Sequence, residues 1–65
     1  MWIEVTAVSN NHKFAVNFDD VLQISPLAQG TLLMRVGNER IQILERYDYI
    51  VARLHGVNVD HIFAQ

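Results

Sequence analysis

A change of period constrains this chain more than any other feature. From Trp2 to Leu44 apolar side chains recur at alternate positions, in short runs broken by Asn, Asp, Gly and Pro. From Tyr47 to Leu54 they fall instead at Tyr47, Ile50, Val51 and Leu54, the spacing of one helical stripe. Alternation belongs to a half-buried strand and the 3.6-residue repeat to an amphipathic helix. Strands first and one helix last restrict the fold to a strand layer with a helix laid over it.

The breaks divide the alternating region into five runs. Ile3, Val5 and Ala7 alternate with Trp2, Glu4, Thr6 and Val8. Ser9-Asn10-Asn11 supplies turn chemistry, since Asn tolerates left-handed backbone and bonds locally. His12 to Asn17 resumes the pattern, with Phe14 and Val16 on one face. Asn17-Phe18-Asp19-Asp20 predicts a turn or a single helical turn, with Asn17 or Asp19 capping free amides. Val21 to Ser25 reads as a third strand placing Leu22 and Ile24 on one face, and Pro26 ends it. Gln29-Gly30 marks the next turn. Thr31 to Val36 and Glu39 to Glu45 form the last pair around Gly37-Asn38, which fits a two-residue type I′ or II′ turn. In that register Met34 opposes Ile41, Leu32 opposes Ile43, Leu33 opposes Gln42 and Arg35 opposes Arg40. Gly56 is a natural stop for the helix.

The expected fold is α+β: a mostly antiparallel five-stranded β-meander, open to curling towards a small barrel, with one C-terminal helix. One domain spans 1–65, with the meander over 2–45, the helix over 46–55 and a tail over 56–65. The helix stripe is expected to cover a sheet face built from Ile3, Val5, Phe14, Leu22, Ile24, Met34 and Ile41. In the tail, Val57 and Val59 suit a further strand, whereas Asp60 suits the cap of a short turn carrying Ile62 and Phe63.

The order Ile3-Glu4-Val5-Thr6, a polar turn, Lys13-Phe14-Ala15-Val16-Asn17, a strand over Val21 to Ile24, a hairpin at Gly37 and a closing helix resembles the small FlbD-type proteins of flagellar and swarming motility. The resemblance covers about residues 2–54, and Thr6 and Asn17 are its more distinctive positions. Ser9-Asn10-Asn11 stands where that family often has Gly, and the tail lies outside the pattern. The resemblance implies a non-enzymatic accessory protein that acts through other proteins.

Composition points the same way. The chain has 65 residues, 51% of them apolar, and no cysteine. A domain this small buries only about 60% of its unfolded surface and usually needs a staple. Without cysteine the staple cannot be a disulfide or a thiolate zinc site, so a second copy of the chain is the expected partner. Seven Asp and Glu against five Lys and Arg give a net charge of −2. That balance disfavours nucleic acid, whose binding normally needs a basic surface. The start, MWIEVTAVSNN, lacks the basic-then-apolar build of a secretory signal. No run approaches the roughly 18 apolar residues of a membrane span. The expected location is the cytoplasm.

Two groups of residues stand out as candidate contacts. Arg35 and Arg40 would be directly opposed like charges, which is unfavourable by a fraction of a kcal/mol. Two guanidinium forks there would grip a carboxylate or phosphate. In the alternative, Glu4, Glu39 or a nearby aspartate already sits between them, or both splay into water. Trp2, Val8, Leu33 and Leu44 fall on the face away from the helix stripe. Either Ile62 and Phe63 of the same chain cover them or they anchor an interface.

No catalytic, metal or cofactor site is expected. His12, His55 and His61 are too scattered for a ligand set, Asp19-Asp20 reads as a turn start, and no phosphate-loop, zinc-protease or nucleophile-elbow motif occurs. The function expected from the sequence is a protein-interaction or assembly module working as a homo-oligomer. The alternative is a small nucleic-acid-binding regulator gathering Lys13, Arg35, Arg40, Arg46 and Arg53 on a curled sheet.

Overall fold

The computed structural model describes residues 1–56. Five strands and one helix follow in the order β1 (Trp2–Thr6), β2 (Lys13–Asn17), β3 (Val21–Pro26), β4 (Thr31–Arg35), β5 (Glu39–Ile43) and α1 (Tyr47–Leu54). All pairings are antiparallel. The α+β character expected from the change of period is present. The single meander is not: β1 and β2 form one sheet, β3, β4 and β5 form another, and the strands do not close a barrel.

The division begins at Asn17. Residues Phe18–Asp20 form a 3-10 turn, in which the Asn17 side chain accepts a hydrogen bond from the Asp19 amide at 3.1 Å. Phe18 is buried in the core, and its amide donates to the Met1 carbonyl at 2.8 Å. With Phe18 committed inward, β3 leaves along a different path and does not pair with β2. The sheets meet instead where β1 runs out beside β5. Ala7 bridges Ile43, the Val8 amide donates to the Gln42 carbonyl at 3.1 Å, and the Leu44 amide donates to the Thr6 carbonyl at 2.9 Å.

Turn chemistry is local. Between β1 and β2 the His12 amide donates to the Asn10 side chain at 3.0 Å, and Asn11 takes a left-handed φ of 60°. Asn carries both tasks at low cost. Between β4 and β5 the connection has three residues, Val36-Gly37-Asn38, with φ of 78° at Gly37 and 62° at Asn38.

That extra residue resets the pairing. Arg35 opposes Glu39, Met34 opposes Arg40, Leu33 opposes Ile41 and Thr31 opposes Ile43. Because strand side chains alternate, a one-residue slip exchanges the faces of β4. Leu33 and Thr31 therefore point into the core, while Leu32 and Met34 lie on the other face of the sheet. The expectation that Met34 sits under the helix is overturned.

A second shift lies in β3. Val21 pairs with Arg35 but Gln23 pairs with Met34, so Leu22 is an extra residue in the ladder. Val21 and Ile24 are three apart and reach one face only if such a bulge takes up the odd residue. Leu22 is consequently 68% exposed rather than in the core.

The core comprises Ile3, Val5, Val16, Phe18, Leu33, Ile43 and Ile50, with Phe14, Val21, Ile24, Ile41, Tyr49 and Leu54 packed around it. From α1, Ile50 and Ala52 are buried, while Tyr47 at the first turn stays exposed.

The segment between β5 and α1 is fixed by a polar node. The Thr6 amide and hydroxyl donate to the two Glu45 carboxylate oxygens at 2.8 and 2.9 Å. The hydroxyl of fully buried Thr31 donates to the Glu45 carbonyl at 2.7 Å. One residue thus ties the ends of β1 and β4 to the start of the helix.

Candidate interaction surface

Strand alternation decides which side chains the layer presents. In the β1–β2 hairpin Ile3 pairs with Val16 and Val5 with Phe14, all facing the core. Trp2, Glu4, Lys13 and Ala15 face out and are exposed. The bonds flanking the Ala7–Ile43 bridge place Val8 and Leu44 on the side opposite those two residues. Trp2 is 67% exposed, Val8 41% and Leu44 45%. The outward side of β1 therefore carries Trp2 at its start, and Val8 with Leu44 just past its end, at the junction with β5.

Leu33 does not belong with them. It is fully buried, because the three-residue connection turns it inward against Ile24 and Ile41. Leu33→Glu would drive a carboxylate into the core instead of acting at an interface. Ile62 and Phe63, expected to cover Trp2 or join an interface, lie outside the described residues.

Arg35 and Arg40 are not opposed. Arg35 faces Glu39 across the ladder, with its Nη1 2.6 Å from Glu39 Oε1 and its Nη2 3.9 Å from Asp20 Oδ2. Arg40 is opposite Met34 on the other face of the sheet and exposed. The two guanidinium groups therefore do not form a fork, and Arg35 is already engaged with acids of its own chain. Its Nε is shielded from solvent without a hydrogen-bond partner among the described residues. Burying such a donor carries a cost, which the charge-assisted bond to Glu39 offsets. Among the described residues no acid sits between the two arginines, as the sequence alternative had it; Glu39 and Asp20 lie beside Arg35 alone.

Two features went unseen in the pattern of residues. The first is the Glu45 node, for which alternation carries no signal, since its partners Thr6 and Thr31 are far away in the chain. The second is a groove of about 630 Å³ where the β3–β4 turn meets the start of α1, lined by Leu27, Leu44, Tyr47, Arg46 and Asp48 among others. It is open to solvent. Arg46 Nε lies 3.5 Å from Asp48 Oδ1, so the charges beside the groove are paired with each other.

His12, in the β1–β2 turn, and His55, just after α1, are exposed and apart in the chain, and His61 is outside the described residues. Among the described residues no three His, Asp or Glu side chains gather as a metal site, and no helix is long and apolar enough to cross a membrane.

Comparison with protein-family models, curated proteins and solved structures finds no match for the chain. Thr6 holds Glu45, and Asn17 caps the 3-10 turn.

Proposed function

We propose that this chain is a small protein-interaction module that acts by self-association, an assembly part rather than a catalyst. The observation that carries the proposal is Trp2, which stands 67% exposed on a strand whose alternate residues Ile3 and Val5 are sealed in the core. Large aromatic side chains are costly to leave in water and are preferred anchors of interfaces. Val8 and Leu44 extend the apolar character along the same outward side. The resemblance over residues 2–54 to FlbD-type proteins supports an accessory role in motility-type assemblies, and the cytoplasm is the compartment proposed. A nucleic-acid role is less well supported, because Arg35, one of only five basic residues, is engaged with Glu39 and Asp20.

The test uses mass and fluorescence together. Trp2 is the only tryptophan, so its emission reports on that site alone. Light scattering is expected to give a mass above 7.5 kDa that falls on dilution. The emission is expected to shift to shorter wavelength as association removes Trp2 from water. A mass of one chain across the range from about 1 μM to about 1 mM would overturn self-association.

A further inference from the structure

The outward face of the β1–β2 hairpin carries more than an exposed aromatic. Its cross-strand pairs are Trp2 with Asn17, Glu4 with Ala15 and Thr6 with Lys13. Glu4 and Lys13 are the charged residues that the two strands present on this face, one of each sign, and the Glu45 carboxylate, held by the Thr6 amide and hydroxyl, lies at its Thr6 end. Neither makes an ion pair among the described residues, which is true also of Glu45 and, on other parts of the fold, of Arg40 and Arg53. They lie diagonally across the ladder, and the small, exposed Ala15 of β2 stands opposite Glu4 and diagonal to Trp2, which leaves room beside the Trp2 ring.

We infer that this face docks on the same face of a second copy of the chain, with Glu4 of each copy meeting Lys13 of the other. The inference rests on the self-association proposed above and specifies its surface. A two-fold interface brings each patch against itself, so it must be self-complementary. The strand residues of this face, one acid, one base and one aromatic anchor, satisfy that condition, because the symmetry axis turns the Glu4–Lys13 couple into two intermolecular ion pairs while Glu45 stays bonded to Thr6 of its own chain. A partner of uniform charge would meet one matched and one opposed group here. A second copy meets two matched groups. The contacting area of one hairpin face is small, which places the complex among weak, concentration-dependent associations.

Charge reversal tests this directly. Glu4→Lys gives a face with two bases, and Lys13→Glu a face with two acids. Each variant alone is expected to associate at least about tenfold more weakly than the parent, since like charges are brought together. An equimolar mixture of the two is expected to associate again, as a heterodimer in which every Lys meets a Glu. Circular dichroism on each variant confirms the fold, both residues being exposed. The mixture separates contact between copies from contact within one. A pairing inside the chain would be repaired by the double reversal in one molecule but not by mixing two.

If the parent associates while the reversals leave its dissociation constant unchanged, or mixing restores nothing, the hairpin face is not the interface and the inference falls alone. If the parent is a single chain at every concentration, the self-association reading falls with it.

Discussion

At the scale of single residues, the tightest constraint is Gly30. It has φ of +88°, and a Cβ built there would collide with the carbonyl oxygen of Ile43. The collision is with backbone, so no side-chain adjustment relieves it. Gly30 opens β4 beside the end of β5, and the close approach lets Thr31 pair with Ile43 and lets its hydroxyl reach Glu45. Gly30→Ala is expected to destabilise the fold by about 2–4 kcal/mol, combining left-handed strain with displacement of β5. Gly37 is the control. Its φ is +78°, but a Cβ there meets nothing within 4 Å, so Gly37→Ala carries the conformational cost alone, about 1 kcal/mol. Urea midpoints of the two variants measure the difference. Equal effects would mean that the approach of Gly30 to Ile43 is not needed for the fold.

At the scale of elements, the strands and helix were legible from the alternation of Ile3, Val5, Phe14 and Val16 and from the stripe ending at Leu54. Their pairing was less so. Gly37-Asn38 suits a two-residue turn and a three-residue one equally, because both need left-handed backbone at those positions. The choice is made elsewhere. The longer connection sets Arg35 against Glu39 rather than Arg40, and it lines up Leu33 with Ile41 in the core. The same applies to β3, where the odd spacing of Val21 and Ile24 requires a bulge that exposes Leu22. Of the candidate surface, Trp2, Val8 and Leu44 could be placed by alternation because they do not depend on that register, whereas Leu33 could not. The Glu45 node was hidden because its bonds run to Thr6 and Thr31, which only the finished fold brings near. Glu45→Ala removes both carboxylate bonds and leaves the part-buried Thr6 amide unpaired, at an expected cost of about 2–3 kcal/mol. Thr31→Val removes a single bond at nearly constant shape and is expected to cost about 1 kcal/mol. Denaturant curves rank the two, and the reverse order would show that the node is held by Thr31 rather than by the carboxylate.

At the scale of the whole molecule, the core is small for the surface that it must support. Eight apolar side chains are buried among the described residues, from Ile3 to Ala52. A core of this size supplies about 3–5 kcal/mol. Met1, Trp2, Val8, Leu22, Leu27, Val36, Leu44 and Tyr47 remain in solvent. If copies associate through the hairpin face, binding favours the folded form, and stability then depends on concentration. Once dimers dominate, each tenfold rise in concentration adds about 1.4 kcal/mol per dimer. For a domain of this length, where 1 kcal/mol moves the melting temperature by about 4–8 °C, half that energy per chain raises Tm by about 3–6 °C. Melts followed by circular dichroism at three concentrations spanning the dissociation constant read the slope. In the Glu4→Lys variant the slope is expected to flatten over the same range, since the folded monomer then melts without a partner. Parallel slopes in parent and variant would show that Glu4 takes no part in the contact that stabilises the fold. Superimposed melts in the parent would show that its exposed apolar side chains are carried by the monomer without help.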